Sequence, residues 1–132
     1  MSIKQDRFHR KFYFPAWAED SLSEFLKELE KKKIVFTFHA LWKIIDARFL
    51  HGEILLKYLI RSIRAGPTLG EIFEFYARGT FVTKICVRFS SPEIPVDVIA
   101  VISHDGVVIT VYTIGKKDNH KSLNPNLYKK GD

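Results

Sequence analysis

With 132 residues, 46% of them hydrophobic and 14% aromatic, the chain carries enough apolar material for one folded domain, which excludes a disordered polypeptide. No run of about 18 apolar residues occurs, so no membrane-spanning helix is expected, and residues 1–11 lack the apolar stretch of a secretory signal. The single cysteine, Cys86, excludes an intramolecular disulfide and reads as a buried strand thiol, which points to a reducing, cytoplasmic setting.

The net charge of +6 is concentrated at the two ends. Residues 1–14 hold four basic side chains against one acidic, and residues 115–132 hold five against two. Residues 15–114 balance at twelve of each. The expected organisation is a single domain over 1–132: a basic-aromatic arm (1–14), a core (15–114) and a basic tail (115–132). Arg7, Arg10, Lys11, Lys116 and Lys117 are then the candidates for contacting the phosphates of a polyanion such as RNA.

Taken in chain order, residues 7–17 mix basic and aromatic side chains and read as a short strand or extended arm ending near Pro15. Ser21 with Glu24 three residues on suggests a capping box at the start of a helix, whose apolar stripe is Leu22, Phe25, Leu26 and Leu29. Residues 34–38 are β-branched and aromatic, and Thr37 is placed to cap a second helix. Helical spacing of Leu41, Trp42, Ile44, Ile45 and Phe49 predicts that helix over 40–50. A third helix is expected over 53–64, stopped by Ala65-Gly66-Pro67.

After residue 70 the period changes to two, with strands expected at 71–77, 80–89, 96–103 and 107–114. Alternation along 80–89 sends Phe81, Thr83, Ile85, Val87 and Phe89 toward the core, and Val82, Lys84, Cys86 and Arg88 the other way. Asp105-Gly106 is a strong hairpin signal. As a two-residue loop it pairs His104 with Val107, Val101 with Thr110 and Ile99 with Tyr112, so that Thr110 and Tyr112 share a face with Val108. The fold class is α+β: N-terminal helices packed on one face of an antiparallel, roughly four-stranded sheet.

The chemistry-bearing residues are few. The five histidines have no metal-site spacing, and neither a metal nor a cofactor is expected. There is no phosphate-binding loop and no serine in a nucleophile-elbow context. His39 stands at a helix start with Lys43 and Asp46 at i+4 and i+7, where an imidazole can accept a proton. Thr110 and Tyr112, two positions apart on one strand, can both reach a phosphate.

The run His39-Ala40-Leu41-Trp42-Lys43 to Arg48, a second helix, and strands ending in Val108-Ile109-Thr110-Val111-Tyr112 together resemble small RNase toxins of the barnase–EndoU–colicin–RelE superfamily. The likeness covers residues 34–114 and rests on element order and short motifs. It implies a metal-independent endoribonuclease that turns the RNA 2′-OH onto the adjacent phosphate, leaving a 2′,3′-cyclic phosphate. On this reading His39 is the general base or acid, with His104 as the alternative second proton carrier. Lys43, Arg48, Lys84 and Arg88 stabilise the phosphate, and Thr110 and Tyr112 position it. One departure stands out: the family's arginine follows the histidine by about eight residues, where Ala47 stands here, and Arg48 lies about 100° further round the helix.

The resemblance implies RNA, tRNA among the candidates, as substrate, and an acidic antitoxin or immunity protein as partner. The alternatives are a noncatalytic RNA-binding module that stacks bases on Trp17 and the aromatic arm, and an interaction domain for an acidic protein.

Overall fold

The structure, a computed structural model, describes residues 7–10, 14–45, 52–92 and 94–117. It is α+β, with three helices and one six-stranded mixed sheet. The elements in order are β1 (Arg7–Arg10), α1 (Ala18–Glu30), β2 (Val35–Phe36), α2 (Phe38–Ile45), α3 (Gly52–Ala65), β3 (Ile72–Arg78), β4 (Phe81–Phe89), β5 (Val96–Ser103) and β6 (Val107–Gly115). A short 3-10 turn, Leu69–Glu71, leads into β3. No described helix is long and apolar enough to cross a membrane.

The strand order is β1-β3-β4-β5-β6-β2. The meander β3 to β6 stands where alternation placed it, but the sheet gains a short strand at each edge. Arg7–Arg10 pairs antiparallel with β3, so part of the expected basic arm is an edge strand. Val35–Phe36 pairs with Val107–Val108 in parallel, so the sheet is mixed. Two- and four-residue strands are too short for periodicity to reveal, and their partners lie roughly 70 residues away in sequence.

Register gives the two faces distinct contents. His9, Phe75, Ile85, Ile102 and Val108 form one row across five strands. This face clusters with Ala18, Leu22, Phe25 and Leu29 of α1, Ala40 of α2 and Ile63 of α3. Phe75 is wholly buried beneath His9, Phe14 and Trp17. The second face carries the row Glu74, Cys86, Val101 and Thr110. There Cys86, Ile99 and Val101 form a smaller buried cluster with Phe73, Ile109, Tyr112 and Ile114 around it.

Two irregularities revise the expected faces. A register shift where Tyr76 and Ala77 meet β4 turns Val82 into the helix-side core and leaves Phe81 exposed, the reverse of strict alternation. At the other end Gly106, with φ +83°, closes the loop after Ser103, and Gly106 N–H donates to the Ser103 carbonyl. Val101 faces Thr110 and Ile99 faces Tyr112, but the next pair is Ile102 with Val108. The one-residue shift puts Val108 in the helix-side core, on the opposite face from Thr110.

The expected capping box at Ser21 does not form. The turn Pro15–Ala18, closed by Ala18 N–H on the Pro15 carbonyl, starts α1 four residues earlier, with Trp17 at the cap position and no side-chain bond. A capping box is found instead at Thr68 and Glu71.

Candidate nucleic-acid interface

Thr37 is the residue that positions α2. Its side-chain oxygen accepts from Ala40 N–H at 3.0 Å, which caps the helix, and its hydroxyl donates to the Ile109 carbonyl at 2.7 Å. Its own N–H donates to the Val108 carbonyl at 3.0 Å, continuing the β2–β6 pairing. One threonine therefore ties the helix start to β6 immediately before Thr110. His39 lies two residues beyond Thr37, in the first turn of α2, whose Ala40 packs into the helix-side core, whereas Thr110 belongs to the other sheet face. Ala40 is wholly buried, while Phe38, His39, Trp42 and Lys43 are exposed.

The exposed pair is unusual for large rings: Phe38 is 85% and Trp42 58% exposed. They stand four residues apart and therefore on one side of α2. Among the described residues neither ring touches another. Trp17, by contrast, packs edge-on against His9 and Phe75 at 5.4 and 5.8 Å, so it belongs to the core side and not to an open stacking surface.

The charge around α2 also differs from the sequence expectation. The balance of residues 15–114 is a sum over unlike pieces. Residues 31–64 carry eight basic side chains against two acidic, a net +6, while residues 15–30 carry one against five. Lys31, Lys32, Lys33, Lys43, Lys57, Arg61 and Arg64 are all exposed. A groove of about 140 Å³ brings Lys32 and Ile34 together with Ile63 and Arg64, so the basic turn before β2 and the end of α3 border one surface. Counting charge over windows the length of one or two helices, and not over the whole core, would have found this stretch.

The other expected site residues are distributed elsewhere. Lys84, Arg88, Thr110 and Tyr112 share the second sheet face. Lys84 lies with its Nζ 4.8 Å from the centre of the Tyr76 ring. Arg88 is held in a polar network at the sheet end: Nε donates to Asp97 Oδ2 at 2.8 Å, and Nη2 donates to the carbonyls of Gly115 and Lys116, each at 3.2 Å. Lys116 Nζ donates to the Ser91 carbonyl at 2.7 Å and to Ser90 Oγ at 3.3 Å, and lies 3.5 Å from Asp97 Oδ1. Burial alone would raise the Asp97 carboxyl, but hydrogen bonds from Ser90 and Arg88 and the charges of Arg88 and Lys116 hold it below its ordinary value. Arg88 and Lys116 thus join β4, β5 and β6 structurally.

His104 sits in the β5–β6 loop, edge-on to Phe81 at 5.1 Å and with its Nδ1 3.3 Å from Asp105, remote in sequence from the α2 surface. Cys86 is wholly buried, and burial together with the neighbouring Glu74 charge pushes its thiol well up. Arg7 is exposed on the edge strand and Lys117 exposed after β6. Arg48, Lys11 and the tail from 118 lie outside the described residues, as does the Arg10 side chain. No group of His, Cys, Asp or Glu among the described residues could hold a metal ion.

Comparison with protein-family models, with curated proteins and with solved structures finds no match to this chain.

Proposed function

We propose that this chain is an RNA-binding protein that uses α2 and the cations around it as its interface. The observation that carries this reading is the exposed Phe38–Trp42 pair inside a stretch of net charge +6. Aromatic faces stack on bases of any sequence, and lysine or arginine near the backbone releases counterions. Titrating fluorescent RNA with the protein over a salt series tests it. Neutralising about four phosphates gives a slope of log K against log salt near −3. Affinity indifferent to salt would overturn the electrostatic part, and an acidic protein that competes at the same residues would favour a protein partner.

The geometry favours a second reading at the same place: metal-independent RNA cleavage, with His39 as proton carrier. It is supported by the Thr37 anchor, which holds the first turn of α2, with His39, against β6 at Ile109. Binding ranks ahead of cleavage because Arg88 and Lys84 are engaged with Asp97 and Tyr76, leaving Lys43 as the described cation nearest His39 in sequence. In this reading the protein acts in the cytoplasm, and tRNA is a suitable first substrate. Intact tRNA after incubation with excess protein in EDTA rejects cleavage without touching the binding proposal; loss of cutting in His39→Ala supports it.

A further inference from the structure

We infer that α2 takes a single unpaired base between Phe38 and Trp42, so that the RNA recognised is a bulge, loop or single strand and not a continuous duplex. This rests on the RNA reading above and specifies its substrate. Residues four apart on a helix are separated by about 6 Å along its axis and point to the same side. Stacked bases repeat at about 3.4 Å, so two rings that cover both faces of one base stand about 7 Å apart. The helical rise from Phe38 to Trp42 is close to that span, and neither ring is occupied by another ring among the described residues.

The backbone that carries the Phe38 ring is anchored. Phe38 is the first residue of α2, directly after Thr37, whose bonds to Ala40 and Ile109 hold the helix start against the sheet. A base within a duplex already has neighbours on both faces and cannot enter such a slot without leaving its stack. A bulged or single-stranded base pays little for entry. His39 and Lys43, each next in sequence to one of the rings and exposed, are placed to meet the phosphates on either side of the inserted nucleotide.

The test uses three labelled RNA hairpins: fully paired, with one bulged nucleotide, and with an abasic residue at the bulge. The 2′-hydroxyls flanking the bulge are replaced by hydrogen so that cleavage cannot intervene. The bulged hairpin is expected to bind about tenfold or more tighter than the other two, in line with base–aromatic stacking. Phe38→Ala and Trp42→Ala should reduce it to the affinity of the paired hairpin, while Trp42→Phe keeps most of the preference. Equal, salt-sensitive binding of all three hairpins overturns the inserted base and leaves RNA binding standing. No binding to any of them overturns both. The abasic arm uses unmutated protein, so it decides the matter independently of how the variants fold.

Discussion

Asp97→Asn is expected to lower stability by about 2 kcal/mol at neutral pH. The carboxylate is only 7% exposed and receives Arg88 Nε at 2.8 Å. Removing one member of a buried ion pair typically costs about 3–5 kcal/mol, because the remaining charge is left without its partner. The cost here is reduced on two counts. The Arg88 side chain is 20% exposed, and it retains the carbonyls of Gly115 and Lys116 as acceptors. Asparagine also keeps the volume and one accepting oxygen, so no cavity contributes. The pH dependence has a definite sign. The folded carboxyl is held below its ordinary 3.8, so its stabilisation is fully present above that value and is lost as pH falls through the lower folded value. Urea unfolding of the two proteins at neutral and strongly acidic pH measures both effects, with the gap closing in acid. A neutral-pH difference under about 0.5 kcal/mol, or a gap that persists unchanged in acid, would refute the network as a source of stability. Arg88→Met belongs to the same experiment: it should lose stability while the folded fraction keeps its RNA affinity.

Thr37→Val should cost about 1–2 kcal/mol by urea unfolding, since it removes both the cap on Ala40 and the bond to Ile109, and hydrogen exchange should show α2 opening first. His9 is held below its ordinary 6.5, by burial first and by Arg7 second, so the unfolded chain takes up the proton before the folded one does. Stability should therefore decline as pH falls past 6.5 and level off once folded His9 also protonates; His9→Phe should abolish that decline in a pH series of unfolding curves. Gly106→Ala should destabilise by about 2 kcal/mol or more, because φ is +83° and a Cβ there would stand 2.9 Å from Lys32 Cβ and 3.2 Å from the Lys33 carbonyl oxygen. A thermal melt unchanged by that substitution would show that the loop can rearrange freely.

Legibility in the sequence tracked the strength of each local pattern. The meander from Ile72 to Gly115 stood out because alternation runs for seven to nine residues per strand and Asp105-Gly106 marks a turn. The pairings of Thr110 and Tyr112 came out at the expected partners, although the loop geometry near them did not. Residues 7–17 and 34–38 read as extended, but their pairing did not show because it depends on partners far along the chain, and a bulge that leaves no mark in composition brought Val82 into the core and left Phe81 exposed. In the candidate interface His39, Thr37 and Lys43 were legible from their places at a helix start. The exposure of Phe38 and Trp42 was not, since a helical apolar stripe reads as core unless the direction of packing is known.

The β2–β6 pairing also bears on how the molecule is made. α2 is encoded in the first third of the chain, yet its fastening to Val108 and Ile109 needs a strand near the other end. A growing chain leaving the ribosome amino end first can form helix there early, but it cannot dock that helix at its final place until β6 has emerged. Closing so long a loop is slow compared with zipping adjacent hairpins. The aromatic–cationic surface therefore takes its finished form among the last parts of the domain, and a nascent, partly made chain does not yet present it.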